Sequence, residues 1–256
     1  MHTHDKKNNT AKQPHEKPLI FSIIINIIIT AAEITGGVLS GSLALLSDAF
    51  HNLSDVVSLI ISYFAILIGK KPGNRVKTYG YKRAEIIAAL INILALFVIC
   101  GFIIFEAVKR LKNPEPINVP LMISIASIGL IGNGVSVLLL IKSSKSSLNI
   151  KSAFLHLLAD TISSVAVIIT AIILLFKPWY ILDTVLSVLI ALYIVKESFS
   201  VLMESLNILM QGAPRGIDRE KLKKRLFEIK EVNIKGIHHI HMWNITPGET
   251  VFDAHV

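Results

Sequence analysis

The sequence has 256 residues, of which 52% are hydrophobic and 17% are charged, and its mean hydropathy is +0.61. This composition is too apolar for an ordinary soluble domain and is typical of a membrane protein. The formal net charge of +8 does not indicate nucleic-acid binding, because the basic residues flank hydrophobic runs and collect near the C-terminus. The single cysteine, Cys100, lies in an apolar run, which excludes a disulfide framework and predicts a packing role.

Six hydrophobic stretches are long enough to cross a bilayer as helices, which takes about 20 mainly apolar residues. They lie at residues 19–39, 43–68, 84–108, 121–141, 153–176 and 179–203. The polar tail before the first stretch is not typical of a cleaved signal peptide. The sequence therefore predicts an α-helical membrane protein with six transmembrane helices.

The distribution of Lys and Arg predicts the orientation of these helices. The N-terminal tail, the loops 70–83 and 142–151 and the C-terminal segment are basic, whereas the link 40–42 has no basic residue. Cytoplasmic loops carry such an excess, so both termini are expected in the cytoplasm. Lys109, Arg110 and Lys112 fall on the opposite side, where Glu106 and Glu115 flank them.

The composition changes to charged after the sixth stretch. Residues 211–217 contain the Gly and Pro of a linker, and Asp218 can cap a helix in which Leu222, Leu226 and Ile229 recur at helical spacing. Residues 234–243 and 250–256 alternate like two strands around a turn at Pro247–Gly248. One helix and two strands bury little apolar area, so we expect residues 218–256 to form an incomplete α/β domain.

Charged side chains in two of the predicted spans indicate a function, since each raises the free energy of membrane insertion by about 2.5–3.5 kcal/mol at the centre of a helix. Asp48, His51 and Asp55 lie on one face of the second span, because they are separated by three and four residues. His156 and Asp160 repeat the four-residue spacing in the fifth span.

Two imidazoles and two carboxylates suit tetrahedral Zn²⁺, and the two carboxylates balance its charge. His51, Asp55, His156 and Asp160 are therefore the predicted ligands of a transported metal. The alternatives are intrahelical hydrogen-bonded pairs or a polar clamp between the helices. Asp48 is a candidate for an accessory role, as an outer partner of the metal site, a vestibule carboxylate or a helix-end residue. Other polar residues in the spans, such as Glu33, Asn92 and Asn133, are expected to make interhelical hydrogen bonds.

Five motifs, in this order, resemble the cation diffusion facilitator family: LLSDAFHNLSD, YGYKRAEIIAALIN, AFLHLLAD, DTVLSVLIALYI and HHIHMW. The resemblance implies proton-coupled export of Zn²⁺ from the cytoplasm by a homodimer in the membrane, with Cd²⁺ or Co²⁺ as further cargoes. It also implies a cytoplasmic metal-binding domain of ferredoxin-like fold, here taken as residues 218–256 after a transport domain at 19–210 and a tail at 1–18. The protein is then a multi-pass protein of a bacterial cell membrane. The resemblance implies neither an enzymatic activity nor a resident cofactor.

The same resemblance maps the transport ligands onto the four residues already singled out. The presence of a histidine at position 51 resembles the zinc-selective branch of the family. It places His238 and His255 among the ligands of a cytoplasmic zinc site whose other ligands would lie beyond residue 256. Strand alternation predicts that His239 and His241 share one face while His238 points to the other.

Two other functions compete with transport. An intramembrane metalloprotease would need three protein ligands and a general base, and the sequence has no HExxH motif. A transport-deficient truncated relative, or a zinc-binding sensor, would follow if the short C-terminal segment prevented dimerisation.

Overall fold

The computed structural model describes residues 16–141, 148–214, 216–228 and 236–255. Six long helices come first: α1 Glu16–Ser40, α2 Leu43–Gly69, α3 Ala84–Lys112, α4 Val119–Leu140, α5 Leu148–Phe176 and α6 Ile181–Leu209. A short helix, α7 Arg219–Phe227, and the strands β1 His238–Thr246 and β2 Glu249–His255 follow. The long helices coincide with the six predicted stretches, and α3 and α6 continue beyond their predicted ends. The predictions for residues 1–15, 142–147, 229–235 and 256 lie outside the described residues.

Five of the described helices are long and apolar enough to cross a membrane, namely α2, α3, α4, α6 and the part Phe154–Phe176 of α5. In α1 the apolar stretch with described side chains, Ile24–Ser40, is shorter than a full span. Large apolar side chains such as Val98, Phe102 and Leu138 are exposed on these helices, which is expected of a lipid-facing surface. The helices are therefore those of a multi-pass membrane protein, and the sixth span stays a prediction.

The chain forms two compact units, and the first contains the described residues up to Val56 together with Ile103–Ile190. Here α4 packs against α1 and α5. The buried side chains of α4 recur every three or four residues, as a helix face requires, and they are Val119, Met122, Ala126, Gly129, Asn133, Ser136 and Leu140. The first three join an apolar core with Ala44, Leu45, Val167 and Leu174. The middle of the same face is polar.

A glycine allows α1 and α4 to approach closely. A Cβ atom on Gly36 would lie 2.5 Å from Cγ1 and 3.0 Å from Cβ of Ile125. Small residues of this kind let membrane helices pack backbone to side chain without an intervening gap. Gly36 therefore sets the distance between the two helices.

The N-terminus of α2 is capped by a residue far away in the sequence. The Asp183 carboxylate, in the first turn of α6, accepts hydrogen bonds from the Leu43 backbone N–H at 2.8 Å and from the Ser42 hydroxyl at 2.5 Å. The free N–H groups at a helix start need such acceptors, especially when the end is buried. Asp183 thereby fixes the position at which α2 begins.

Arg110 accounts for part of the positive charge on the predicted outer side. Its guanidinium donates to the Gly41 carbonyl and forms ion pairs with Glu115 at 2.9 Å and Glu106 at 3.7 Å. The positive charge is thus compensated locally and ties the end of α3 to the link between α1 and α2.

The second unit contains Val57–Phe102 and the described residues from Ala191 onward. Asp218 caps α7 by accepting from the backbone N–H groups of Glu220 and Lys221, as predicted. The strands β1 and β2 pair antiparallel around the predicted Pro247–Gly248 turn, where Gly248 has a φ of 85°. An ion pair between Lys82 and Glu249 connects the hairpin to the loop before α3.

Candidate metal site

Four titratable side chains from α2 and α5 lie together inside the first unit. The Nε2 atom of His156 is 3.0 Å from Oδ2 of Asp55 and 3.5 Å from Oδ2 of Asp160. The Nε2 atom of His51 is 3.8 Å from Oδ2 of Asp55 and 3.9 Å from Oδ1 of Asp160. Each imidazole therefore faces both carboxylates. We call these four residues the α2–α5 tetrad.

These separations match what a tetrahedral metal requires of its ligand atoms. Metal–ligand distances of 2.0–2.1 Å place the corners of a tetrahedron about 3.3–3.4 Å apart. The observed nitrogen-to-oxygen distances, from 3.0 to 3.9 Å, lie on both sides of that value. One ligand atom from each of His51, His156 and Asp160 lies within 4.8 Å of the others.

The tetrad is closed at one end and open at the other. The side chains of Asp160 and His51 are 1% and 12% exposed, whereas those of His156 and Asp55 are 31% and 33% exposed. The Asp160 end of the tetrad is thus buried, and the Asp55 and His156 end is half-buried.

Asp48 lies on the same helix but has a different partner. It is buried, and its Oδ1 accepts a hydrogen bond of 2.6 Å from the Ser163 hydroxyl of α5. This contact joins α2 to α5 a turn away from the tetrad, and the accessory role of Asp48 stays a prediction. No motif marks Ser163 in the sequence, although its position three residues after Asp160 puts it on a neighbouring part of the same helix face.

The buried carboxylate of Glu33 in α1 also contacts α2. Its Oε2 accepts a hydrogen bond of 2.9 Å from the Asn52 side-chain amide. Asn52 follows His51 directly, so this bond fixes the α2 backbone beside a tetrad residue. The expectation that Glu33 bonds between helices is met, whereas nothing in the sequence pattern selected Asn52 as its partner.

A second cluster, on the hairpin, consists of His238, His239 and His255. The Nδ1 atoms of His238 and His239 are 2.9 Å apart, and the His255 ring centroid lies 5.5 and 5.1 Å from those of His238 and His239. All three are exposed, and one ligand atom from each falls within 4.8 Å of the others. The hairpin therefore brings together three neutral metal ligands.

The strand alternation predicted for these histidines is wrong. His239 has a φ of 52°, in the left-handed region, and the strand register shifts between His238 and His241. This irregularity turns the His239 ring to the side of His238, while His241 pairs in the register with Asp253. A β-bulge of this kind breaks the two-residue period.

The helices and the tetrad define a multi-pass membrane protein with a candidate divalent-metal site between two helices. Residues 19–210 match the family of the cation efflux transmembrane domain. The chain belongs to this family, which is also called the cation diffusion facilitator family and whose members are divalent cation efflux transporters rather than enzymes.

Similar proteins cover nearly the whole chain. It is 37% identical to the metal cation efflux system protein CzcD of Cupriavidus metallidurans over 100% of this chain and 78% of the relative. It is 37% identical to the cadmium, cobalt and zinc/H⁺-K⁺ antiporter of Bacillus subtilis over 97% of this chain and 80% of the relative. The zinc transporter ZitB of Escherichia coli is 36% identical over 95% of this chain and 76% of the relative. The protein is thus a divalent metal cation efflux protein of the membrane.

Proposed function

We propose that the protein exports Zn²⁺ from the cytoplasm in exchange for protons, and that the α2–α5 tetrad holds the ion during transport. The observation that carries the proposal is the convergence of two imidazoles and two carboxylates from two helices, with four nitrogen-to-oxygen distances of 3.0–3.9 Å. The Escherichia coli relative that is named a zinc transporter supports the choice of cargo.

Charge and ligand type both favour a borderline divalent ion. Two carboxylates neutralise one divalent charge, which lowers the free energy of holding the ion away from water. Two imidazole nitrogens suit Zn²⁺ and disfavour hard ions such as Mg²⁺ that prefer oxygen. Cd²⁺ and Co²⁺ share this preference in part, and they are the further cargoes that we propose.

The coupling to protons follows from competition for the same atoms. Metal binds an imidazole nitrogen only after that nitrogen has lost its proton, so zinc entry releases protons and protonation releases zinc. The relative in Bacillus subtilis is named a cadmium, cobalt and zinc/H⁺-K⁺ antiporter, which supports an exchange that includes protons.

The topology that we propose has six spans, cytoplasmic termini and a homodimeric assembly in the lipid bilayer. Residues 19–210 form the transport domain, residues 211–217 the linker and residues 218–256 a cytoplasmic metal-binding domain. The basic loop 70–83 supports this orientation.

The hairpin cluster is the second metal site that we propose. His238 and His255, with His239 as a third ligand, offer imidazole nitrogens that are exposed to solvent. Three histidines leave a fourth position open to water or to another ligand. Asp48 would act on the tetrad only indirectly, through its bond to Ser163.

Zinc flux in proteoliposomes tests the main proposal. The intact chain is expected to accumulate ⁶⁵Zn²⁺ when a proton gradient is imposed, and Asp160→Ala and His156→Ala are expected to abolish the flux. His241→Ala is the matched control, because it removes a histidine outside the tetrad and the hairpin cluster. Flux that ignores the pH gradient would contradict the proton exchange. Zinc binding without flux would favour the sensor.

A further inference from the structure

One oxygen of Glu33 is buried and lacks a hydrogen-bond partner. The residue is only 1% exposed, and its Oε2 bonds to Asn52, whereas its Oε1 finds no partner among the described residues. A buried carboxylate oxygen without a partner is energetically unfavourable in a medium of low dielectric. A bound cation or a hydrogen-bond donor would stabilise such an atom.

The surroundings of this oxygen are built from α4 and α5. A Cβ atom on Gly129 would lie 2.3 Å from Glu33 Oε1 and 3.5 Å from the Ser164 hydroxyl oxygen. Both oxygens therefore lie beside the α4 backbone at Gly129, where no side chain separates them from it. Only a glycine at this position leaves room for them.

The next turn of α4 continues the polar surface. Asn133 follows Gly129 by four residues, which places it about 40° around the helix and about 6 Å along it. Asn133 is fully buried, and within the described ranges neither atom of its amide, nor the Ser164 hydroxyl, has a hydrogen-bond partner. Around Gly129 and the next turn of α4, Glu33, Asn133 and Ser164 thus form a region in which each has at least one buried polar atom without a partner among the described residues.

The chemistry of this region differs from that of the tetrad. Its acceptors are one carboxylate oxygen, one amide oxygen and one hydroxyl oxygen, and it has no imidazole or thiolate. Oxygen ligands of this kind suit hard cations. A single carboxylate balances a single positive charge, whereas the tetrad has two.

We propose that Glu33, Ser164 and Asn133 form a binding site for a monovalent metal cation, Na⁺ or K⁺, separate from the tetrad. Protonation of Glu33 would remove the charge on its carboxylate. It would not give the Asn133 amide or the Ser164 hydroxyl a binding partner. A cation can contact oxygens from α1, α4 and α5 at once. The site would join these helices when it is filled.

Equilibrium binding to the purified full-length protein in detergent, without zinc, tests this inference. The probes are ²²Na⁺, and ⁸⁶Rb⁺ in place of K⁺, each competed with the unlabelled ion. We expect saturable binding of one of the two, with one ion per chain. Glu33→Gln, which keeps the shape and removes the charge, is expected to abolish it. Ser164→Ala, which removes one ligand, should weaken it about tenfold, a loss of about 1.4 kcal/mol.

Two controls separate this site from the zinc site. His156→Ala should lose zinc binding and keep the monovalent ion, whereas Ser164→Ala should keep zinc binding. Absence of saturable binding of both ions to the unmutated protein would overturn the inference, whatever the behaviour of the variants. Binding that survives Glu33→Gln, or that disappears in His156→Ala, would overturn it as well. None of these results depends on whether zinc is transported.

Discussion

His156 of α5 lies closer to Asp55 of α2, at 3.0 Å, than to Asp160 on its own helix, at 3.5 Å. The shortest contact in the tetrad is therefore between helices. This geometry disfavours the alternative in which each helix holds a separate hydrogen-bonded pair. A polar clamp and a metal site share the geometry, and they differ in how metal preference responds to the ligands.

Replacing His51 by Asp should change the ion that is transported. The variant His51→Asp exchanges an imidazole for a hard carboxylate, so the preference should move from Zn²⁺ toward Mn²⁺. Loss of an outer partner of a metal ligand lowers metal affinity by about 10- to 100-fold. Because His51 is itself a proposed ligand, we expect zinc affinity to fall by no less than this. Competition between ⁶⁵Zn²⁺ and Mn²⁺ in proteoliposomes measures it, with His241→Asp as the control. An unchanged preference would favour the clamp.

Closing the gap at Gly36 should destabilise the packing of α1 on α4. The Cβ of Gly36→Ala would meet Cβ and both γ carbons of Ile125 within 3.0 Å, and overpacking of this kind costs about 1–3 kcal/mol. Gly134→Ala is the matched control on α4, because its Cβ meets no described atom within 4 Å and a helical alanine stabilises by about 0.5–1 kcal/mol. Unfolding of both variants in mixed detergent micelles compares them. Equal stabilities would argue against the close approach.

Removal of the Asp183 carboxylate should destabilise the start of α2. In Asp183→Ala the buried Leu43 N–H and the Ser42 hydroxyl lose their acceptor, a loss of about 2 kcal/mol in the free energy of unfolding. Asp218→Ala removes the equivalent cap of α7, whose side chain is 51% exposed, and should cost about 0.5–1 kcal/mol. The same unfolding assay measures both. A larger effect at Asp218 would contradict the assignment of Asp183 as the buried cap.

The hairpin should bind zinc through His239 and not through His241. In a His156→Ala background, which removes the tetrad site, His239→Ala is expected to reduce the zinc bound per chain, whereas His241→Ala is not. The reason is that His239 lies in the cluster with His238 and His255, while His241 is paired in the register with Asp253. Metal analysis after equilibrium dialysis gives the stoichiometry. Equal amounts of zinc in the two variants would contradict the cluster and favour the simple alternating strand, in which His239 and His241 share a face.

The sequence predicts the long helices and the four residues of the tetrad because both depend on local patterns. Apolar length determines a membrane helix. A four-residue spacing places a histidine and an aspartate on one face regardless of what the helix packs against. The approach of Asp55 to His156 could be expected only from the duplication of the motif.

Other features depend on partners that are remote in the sequence. Asp183 caps a helix that begins 140 residues before it, and no local signal marks this pairing. No local pattern marks Asn52, because its role as a hydrogen-bond donor depends on Glu33 in another helix. The positive φ at His239 is rare for a residue with a side chain, so a regular strand was the natural expectation and it failed.

The equal contribution of α2 and α5 to the tetrad has a consequence for the proposed release of the ion. Each helix supplies one base and one acid, so any movement that separates the two helices divides the site into identical halves. Each half then carries two ligands and one negative charge, too few to enclose a divalent ion and too little to neutralise it. A displacement of a few ångströms between α2 and α5, each moving as a rigid helix, would thus remove the coordination of the ion and the balance of its charge in a single step.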